Sequence, residues 1–450
     1  MGSYITDFCE VPTLTPLERI GPKGYVRYIF PFPLAEGYDL EEVTRVLRAS
    51  YAATKQRLAV VGCEAVPDQE ATQAGVLKLR RLEDGEIEDV VVQDLRAPGA
   101  FPTTYAKLQS QHFPVASLDA ETLCRRSQWP SAGERLPVSL VQANFIPGGL
   151  LLNWCTFHMV GDGTSYHTWM KIWAEECRRA QGLEIATPIE LPDAMLGDRE
   201  RIMQPSGRSA GLLEDHRETH RGQVFYFSPA ALQALKADAS PVHAREASDQ
   251  PWISTNDALA ALLWRTVMAV QWPLATLEGD PVSVFNIAID GRLRTDPPVH
   301  PETLGCFLEY LAVSAPIREI VGSATLADLA IRIRRQVRRA DRHFTDDVVT
   351  LADRLEDVNR LVPTAFLDVP GFNCVLTSWI NFQLYELDWG ASLGHRIDAV
   401  RLPHCGLLNG TQLVLPVPPE GGLEVLLGVD GGCLDRLLQD QLWMKYAVAR

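Results

Sequence analysis

Apolar and polar residues follow two different rhythms along this chain, and the two rhythms alternate over its whole length. From Glu36, the stretch EGYDLEEVTRVLRASYAATKQR repeats apolar side chains every three or four residues, which predicts an amphipathic helix. Three short stretches rich in apolar residues predict strands, at residues 76–82, 136–146 and 149–158. Alternation of this kind predicts a mixed α/β protein.

The second half of the chain repeats this mixture. Short apolar stretches predict strands at residues 222–228, 281–290, 372–381 and 422–430. Helical spacing and capping residues predict helices directly after Ser228, at residues 254–270, around 332–342 and at 433–446. Each half therefore reads as a sheet packed by helices.

A polar segment separates the two halves. Between Pro192 and His220 the apolar rhythm weakens, and glycines, Pro205 and many charged residues take its place, as is typical of a linker. A chain of 450 residues also exceeds what one hydrophobic core usually supports. We therefore expect an N-terminal lobe over residues 1–200, a crossover linker over 201–222 and a C-terminal lobe over 223–450.

Composition excludes some classes of function. The net charge of −15 opposes general binding to nucleic acid or to an anionic membrane, because an acidic surface repels phosphate groups. The nine cysteines are scattered and form no CxxC pair, which favours reduced thiols and a cytoplasmic location. The N-terminus lacks the pattern of a signal peptide, and the longest apolar stretch, from Ala258, is interrupted by Arg265 and Gln271. That stretch predicts a buried helix rather than a membrane span.

One motif carries recognisable chemistry. Residues 156–170 read TFHMVGDGTSYHTWM, so His158 ends a predicted strand and Asp162 follows it between two glycines. Thr164 or Ser165 is expected to cap the helix that comes next. A histidine at such a turn can expose a ring nitrogen to a cleft, where a neutral imidazole is a competent general base. The alternative is a structural histidine in a tight turn.

Other chemistries lack their usual signatures. The chain has no G-x-S-x-G nucleophile elbow and no glycine-rich phosphate loop. A metal site needs at least three ligands, and only His167 lies near the motif, on the following helix. Asp162 could orient the histidine, ligate a metal or hold the turn through an ion pair. A histidine base without a nucleophile of its own leaves the substrate to supply one.

Five stretches together resemble a known family. They are HMVGDG (158–163), STNDALAALLW (254–264), AIDGRLRTDPPVHPETLGCF (288–307), LTSWINFQLYELDWGAS (376–392) and GGLEVLLGVD (421–430). In this order and spacing they resemble the HxxxDG, STNDAL, DGR, TSW and DFGWG motifs and the last strand of the CoA-dependent acyltransferases of the BAHD superfamily. Within that superfamily the chain resembles the fungal trichothecene O-acetyltransferases.

The resemblance departs from the family pattern at two places. The DFGWG position reads Asp388-Trp389-Gly390-Ala391-Ser392, without the second aromatic residue and the last glycine. Gly305 is followed by Cys306 where the family has asparagine, which removes one expected contact. Condensation domains, which share HxxxDG, carry a second histidine at the position of Phe157 and lack the TSW and DWG segments, so the CoA-dependent branch is preferred.

The resemblance implies a fold and a set of site residues. The fold would be α/β, with two chloramphenicol-acetyltransferase-like domains, each a mixed sheet packed by helices, and an active-site channel at their interface. His158 would be the general base. Thr377 and Trp379, the latter through its indole N–H, would stabilise the oxyanion that forms when the acceptor attacks the thioester carbonyl. Trp379 could equally be a core residue.

Further residues would have structural or cofactor roles. Asp162 would pair with Arg292 to hold the turn rather than transfer protons, and Gly163 and Asp388 would also be structural. Ser254 and Thr255, at a helix N-terminus, would bind CoA. No metal is expected.

The resemblance also implies substrates. Acyl-CoA, most simply acetyl-CoA, would donate its acyl group to the hydroxyl of a small secondary metabolite, and the enzyme would be a cytoplasmic monomer without nucleic-acid or membrane partners. Two alternatives stay open: a relative that uses the pocket without CoA, as a cyclase or metabolite-binding protein, and an N-acyltransferase acting on an amine. The intact His158, Asp162 and Gly163 favour acyl transfer.

Overall fold

The computed structural model describes residues 4–5, 8–203, 221–361, 371–404, 410–429 and 431–450. Within them the strands, in chain order, are β1 (Tyr4–Ile5), β2 (Tyr25–Pro33), β3 (Cys63–Pro67), β4 (Leu77–Arg81), β5 (Val90–Asp94), β6 (Leu136–Pro137), β7 (Ser139–Ile146), β8 (Gly149–Phe157), β9 (Leu191–Pro192), β10 (Arg221–Phe227), β11 (Val282–Asp290), β12 (Leu308–Pro316), β13 (Cys374–Ser378), β14 (Thr411–Val414), β15 (Leu423–Val429) and β16 (Val448–Ala449).

The α-helices of the described residues surround these strands. In chain order they are α1 (Pro16–Arg19), α2 (Leu40–Arg57), α3 (Tyr105–Ser110), α4 (Ala120–Leu123), α5 (Gly163–Ala180), α6 (Ala194–Ile202), α7 (Pro229–Asp238), α8 (Thr255–Gln271), α9 (Leu326–Arg339), α10 (Phe344–Arg354), α11 (Gly431–Leu437) and α12 (Gln441–Met444). Short 3₁₀ turns connect several of them, one of which begins at His158.

The first large sheet has four strands in the order β2-β8-β7-β5. Strand β8 pairs antiparallel with both β2 and β7, and β5 runs parallel to β7. Both faces of β8 are buried, which explains its nearly continuous apolar sequence. Helices α2 and α5 pack against each other, and their apolar faces join the core of this sheet through residues such as Leu47 and Trp173.

The second large sheet has seven strands in the order β12-β11-β13-β14-β15-β10-β16. The sheet is mixed: β13 runs parallel to both β11 and β14, and all the other neighbouring strands of the sheet are antiparallel. Helices α8 and α9 contribute to its core, where the Trp264 ring stacks on Phe285. The predicted mixed α/β class with two sheet-containing domains is confirmed. Residues 204–220 of the predicted linker lie outside the described residues, and the lobe boundaries stay a prediction.

One segment from the second half of the chain packs into the first core. Trp389 lies between Phe32 and Trp173, and Leu393 and Val400 belong to the same apolar cluster. Backbone hydrogen bonds link Ile29 of β2 with Arg401 in both directions, at 2.8 and 3.1 Å. The first core is therefore completed by residues more than 200 positions further along the chain.

Several local expectations need correction. The N-cap of α5 is Asp162, not Thr164 or Ser165, because the Asp162 carboxylate accepts the backbone N–H of Ser165 at 3.1 Å. The predicted last helix is two helices, α11 and α12, since Asp440 caps a new start. The long apolar stretch from Ala258 is the buried helix α8, and no helix in the described part of the chain is long and apolar enough to cross a membrane.

Candidate active site

His158 stands at the end of β8, where the chain leaves the first sheet. Its backbone N–H donates to the carbonyl of Gly24 at 2.8 Å, which fixes the residue beside the start of β2. The ring nitrogen Nδ1 lies 3.1 Å from the carbonyl oxygen of Gly161. A carbonyl oxygen can only accept, so Nδ1 carries the proton and Nε2 keeps its lone pair. This tautomer is the one that a general base requires.

Burial sets the protonation state of this histidine. Removal from water lowers the pKa of His158 below its ordinary 6.5, because the imidazolium form loses hydration. Hydrogen bonding to Gly161 and the charge of Asp162 act in the opposite direction but do not outweigh burial. The ring is therefore neutral at physiological pH.

Two pockets meet at His158. One, here called the apolar pocket, has an empty volume of about 950 Å³ including its opening to solvent. Its walls come from both halves of the chain: Pro22, Gly24, Tyr25, Val26, Arg27, Gln128, Trp129, Leu308, Tyr310, Val375, Thr377, Trp379, Leu402, Pro403, Thr411 and Leu413, with His158.

The other pocket, here called the strand-end pocket, lies where β11 and β13 end. Its empty volume is about 490 Å³ with the opening included. It is lined by Asp162, Gly163, Thr164, Ala288, Ile289, Asp290, Leu308, Thr377, Ser378, Trp379 and Phe382, with His158. Thus His158, Thr377 and Trp379 line both pockets, and two molecules can reach the imidazole from different directions.

Asp162 holds the turn rather than facing the base. The Arg292 guanidinium donates to both its oxygens, at 2.7 and 3.0 Å. The backbone N–H groups of Phe307 and Ser165 donate to them as well, at 2.9 and 3.1 Å. Burial alone would raise the pKa of Asp162, but Arg292 and these N–H groups outweigh it and hold the pKa below its ordinary value. The carboxylate is fully engaged and ionised, so it has no proton to exchange with His158.

Gly163 is required by a close approach. A Cβ at this position would lie 2.4 Å from two ring carbons of Phe382, well inside contact distance. Phe382 belongs to the segment after β13 that also carries Trp379, and both line the strand-end pocket. The glycine therefore lets the first turn of α5 sit directly against this segment.

Hydrogen-bond donors at the end of β13 line the same pockets as His158. Thr377 and Trp379 are the predicted residues, and the structure places both in the walls shared by the two pockets. Within the described residues, neither the Thr377 hydroxyl nor the Trp379 indole N–H has a hydrogen-bond partner, and the buried Ser378 hydroxyl has none either. Trp379 is also a core residue, 9 % exposed and 5.2 Å from the Tyr28 ring. The core position of Trp379 is therefore observed, and its role at the oxyanion stays a prediction.

Asp388 lies outside both pockets. Its carboxylate accepts the backbone N–H of Gly390 at 2.9 Å and lies 3.0 Å from Nδ1 of His395. Next to it, Trp389 is buried in the first core. Gly390 has φ of +82°, and a Cβ there would meet the Gln181 side chain at 2.3 Å. The altered DWG motif is thus a packing element. The two residues that depart from the family motif, Ala391 and Ser392, line neither pocket.

Ser254 and Thr255 also lie outside both pockets. The Ser254 hydroxyl caps α8 with Asp257 and accepts from Arg334 at 2.8 Å. Most arginines of the predicted basic helix are paired with carboxylates in this way: Arg332 with Glu319, Arg334 with Asp257, Arg335 with Asp249 and Arg342 with Asp296. Much of this positive charge therefore binds neighbouring segments together.

Some site residues were not predicted. Ser378 is part of the TSW motif, so the motif itself could have indicated it. Leu308 lies at the start of β12, whose alternating sequence LEYLAVSAP is a strand signal. Arg27 lies in β2, which is buried on both faces and interrupted by Pro31, so the sequence shows no such alternation there.

Fold and site together define a class of protein. Two mixed sheets, with an HxxxDG histidine in a pair of pockets between their strands, are the arrangement of a CoA-dependent acyltransferase. The chain belongs to the Transferase family, whose profile matches residues 116–398, more than half of its length. This is the family of the BAHD enzymes, which confirms the resemblance seen in the motifs. Residues 25–177 match the trichothecene 3-O-acetyltransferase-like N-terminal domain.

Individual relatives agree with this assignment. An eremophilane O-acetyltransferase from Penicillium rubens is 26 % identical, with 96 % of this chain and 98 % of that protein covered. An enoyl-CoA isomerase/hydratase from Penicillium crustosum is 28 % identical over 95 % of this chain, which spans half of that relative's length. The crystal structure of Fusarium graminearum TRI101 complexed with coenzyme A and deoxynivalenol superposes with a TM-score of 0.81 at 23 % identity, covering 98 % of this chain and 99 % of that one.

Proposed function

We propose that this protein transfers an acyl group, most simply acetyl, from acyl-CoA to a hydroxyl of a small secondary metabolite. The observation that carries the proposal is the position of His158, a neutral imidazole with a free Nε2 that can be reached from two pockets. Relatives described as O-acetyltransferases, and a solved structure that holds CoA beside a hydroxylated toxin, support the same reaction.

The reaction follows from the geometry of the base. His158 Nε2 accepts the proton of the acceptor hydroxyl as its oxygen bonds to the thioester carbonyl carbon. The carbonyl electrons move onto oxygen and give a tetrahedral oxyanion. Its collapse breaks the carbon–sulfur bond, and the imidazolium returns the proton to the departing thiolate. The products are the ester and CoA, and the histidine is neutral again.

Three free donors support stabilisation of the oxyanion. The Thr377 and Ser378 hydroxyls and the Trp379 indole N–H are close in sequence, line the strand-end pocket and lack partners among the described residues. Unused donors beside a base are suited to a charge that exists only in the transition state. We assign this role to Thr377 and Trp379, with Ser378 beside them.

Each pocket suits a different substrate. The apolar walls of the larger pocket, including Trp129 and Leu413, match the carbon skeleton of an acceptor. The strand-end pocket is smaller and lies at the ends of β11 and β13, on the other side of His158 from the apolar walls. We place the pantetheine arm of CoA there.

Ser254 and Thr255 remain the proposed contacts for the distant end of CoA. Arg334 on α9 touches Ser254, and α9 ends five residues later, at Arg339. At about 1.5 Å per residue, this helix bridges roughly 8 Å between Ser254 and that end. The Ser254 hydroxyl is already bonded, so backbone N–H groups and the Thr255 hydroxyl would make the contact.

The cysteines and the pockets also support a proposal on the cellular setting. The described cysteines are free thiols, which supports a reducing, cytoplasmic location. We propose that the enzyme acts as a monomer, because both pockets are built within one chain. The division into lobes at residues 1–200 and 223–450, joined by a crossover at 201–222, belongs to the same proposal.

One assay tests the reaction. Purified protein is incubated with acetyl-CoA and a panel of hydroxylated terpenoids, alkaloids and polyketides together with matched amines, and free thiol and product mass are recorded. We expect an ester product from the wild type, a loss of about 10²- to 10⁴-fold in kcat for His158→Ala, and about 10²-fold or more for Trp379→Phe combined with Thr377→Val.

Asp388→Asn serves as the control variant, because Asp388 lies outside both pockets. It should retain its turnover. Equal turnover by wild type and His158→Ala on an accepted substrate contradicts the assignment of the base, and product formation from amines alone indicates an N-acyltransferase.

A further inference from the structure

Arg27 is a buried cation in the apolar pocket. It lies on β2, only 6 % of it is exposed, and it lines this pocket. None of the other described residues that line the pocket is Asp, Glu, Lys or Arg. The pocket therefore combines a largely apolar wall with one permanent positive charge, since an arginine does not lose its proton in a protein.

This charge has no carboxylate partner among the described residues. The hydrogen bond that Arg27 makes there is from one Nη to the backbone carbonyl of Arg126, at 3.3 Å. Two neighbouring thiols do not supply a negative charge either. Burial raises the pKa of Cys155 to about 11 and also raises that of Cys124, so both stay protonated at physiological pH.

The other buried arginines of the described chain differ from Arg27 in this respect. Each forms an ion pair: Arg199 with Glu18 at 2.9 Å, Arg292 with Asp162 at 2.7 Å and Arg401 with Glu424 at 2.7 Å. A buried charge without a counter-charge is costly, because lost hydration is not replaced. An unpaired guanidinium that faces a binding pocket is therefore suited to an anionic group of the ligand.

We propose that the acceptor of this enzyme is a hydroxy acid, whose carboxylate binds Arg27 while its hydroxyl lies at His158. The inference rests on the proposed acyl transfer and adds the chemical class of the acceptor. A guanidinium binds a carboxylate through two parallel N–H···O bonds, which fixes orientation as well as affinity.

The strand geometry places the two ends of this acceptor. His158 is bonded to the carbonyl of Gly24, and Arg27 lies three residues further along the chain. At about 3.3 Å per residue, the two positions are roughly 10 Å apart. The hydroxyl and the carboxylate are thus separated by several carbon atoms, and the skeleton between them lies against apolar walls such as Val26 and Trp129.

Matched pairs of acceptors test the proposal. The probes are 8-hydroxyoctanoate, 10-hydroxydecanoate and 12-hydroxydodecanoate, each beside its methyl ester, which keeps the skeleton and removes the charge. We expect wild-type kcat/KM with acetyl-CoA to favour the acid over its ester by about 10- to 100-fold for at least one chain length. Arg27→Met should reduce this ratio to about one, and Arg27→Lys should keep part of the preference.

Arg126→Met is the matched control. Arg126 is the neighbouring arginine whose charge is paired with Glu134 and which does not line the pocket, so its variant should keep the wild-type ratio. Because the readout is a ratio within one variant, partial loss of folded protein does not alter it. Thermal unfolding shows whether each variant is folded. If Arg27→Met does not fold, the comparison of wild type with Arg27→Lys tests the proposal.

Binding without acyl-CoA separates this inference from the reaction itself. Calorimetric titration of each acid and ester into wild type and Arg27→Met should show the same preference and the same loss. Selective binding without any ester product overturns acyl transfer and supports the role of Arg27. Three results overturn the hydroxy-acid proposal. The first is equal use or binding of acid and ester by the wild type, the second is a wild-type preference that Arg27→Met keeps, and the third is no binding of any hydroxy acid.

Discussion

His158 combines three local properties in one side chain. It ends a buried strand, its Nδ1 lies against the Gly161 carbonyl, and its Nε2 is free toward two pockets. The HxxxDG spacing makes this combination, because the turn that follows the strand brings Gly161 back to the ring. The position of this histidine at a strand end, before a glycine-flanked turn, was therefore predictable from a short stretch of sequence, while its role as the base stays a prediction.

The lowered pKa of His158 determines how activity should depend on pH. Only the neutral ring can accept a proton, and burial keeps the ring neutral to lower pH than in water. We expect the midpoint of the acid limb of kcat/KM to lie below pH 6.5. A pH profile measured with acetyl-CoA and an accepted alcohol checks this. A midpoint at or above pH 6.5 that is assigned to His158 contradicts the predicted lowering of its pKa by burial.

Ionisation of Glu309 should destabilise the folded protein. This residue is buried on β12, and burial raises its pKa from 4.5 to about 8. The folded chain therefore keeps a proton between pH 4.5 and 8 that the unfolded chain has lost, and stability falls as pH rises through this window. From pH 4.5 to pH 7 this single group costs about 3 kcal/mol.

Glu309→Gln should remove this contribution. We expect the variant to be close to wild type in stability near pH 5 and more stable than wild type at pH 8, in urea unfolding at both values. The exposed Glu184, changed to Gln, is the surface control and should leave the difference between the two pH values unaltered. An identical pH dependence in wild type and Glu309→Gln contradicts the buried, protonated carboxyl.

At the scale of elements, the site is an assembly of strand ends. The turn after β8 carries Asp162, the loop after β11 carries Arg292, and the end of β13 carries Thr377 and Trp379. The Asp162–Arg292 pair joins the first two of these, and the contact of Gly163 with Phe382 joins the first and third. The proposed base and the proposed oxyanion donors are thereby held in one relative position.

Removal of either partner of the Asp162–Arg292 pair should loosen this assembly. We expect Asp162→Asn and Arg292→Met each to lower the free energy of unfolding by about 3–5 kcal/mol, because each leaves a buried group without its counter-charge. The double variant should lose less free energy of unfolding than the sum of the two single losses. Urea unfolding of the wild type, the two single variants and the double variant measures this.

Asp290→Asn is the control for this cycle. Asp290 also touches Arg292, at 2.9 Å, but its side chain is 49 % exposed. Its loss should cost about 1 kcal/mol or less, since exposed ion pairs contribute little. Additive effects of Asp162→Asn and Arg292→Met, or unchanged stability of either single variant, contradict the role of the pair.

Prediction from sequence succeeded where the signal was local. Helices α2, α7 and α8 and strand β8 follow apolar spacing and capping residues within a few turns of chain. It failed where distant segments decide the outcome. The burial of Arg27 depends on walls supplied by residues such as Tyr310 and Leu413, almost 300 or more positions away, and no local pattern encodes that contact.

The whole molecule presents two pockets to one imidazole. This arrangement would let donor and acceptor be bound at the same time, so that the acyl group can pass directly from one to the other. We therefore expect a ternary complex and direct transfer.

Steady-state kinetics check the ternary complex. With both substrates varied, double-reciprocal plots should intersect, and CoA should compete with acetyl-CoA but not with the acceptor. A protein incubated with radiolabelled acetyl-CoA alone should retain no label after denaturation. Parallel plots together with a stable acetyl-protein contradict direct transfer and indicate a covalent acyl-enzyme.

The packing of Trp389, Leu393 and Val400 into the first core has a consequence for synthesis of the chain. A ribosome releases β2, β8 and α5 long before these residues emerge, so the nascent first half carries apolar surface that nothing yet covers. We expect this core to be completed only after residues 389–400 have been synthesised, so the unfinished polypeptide is prone to aggregation until then.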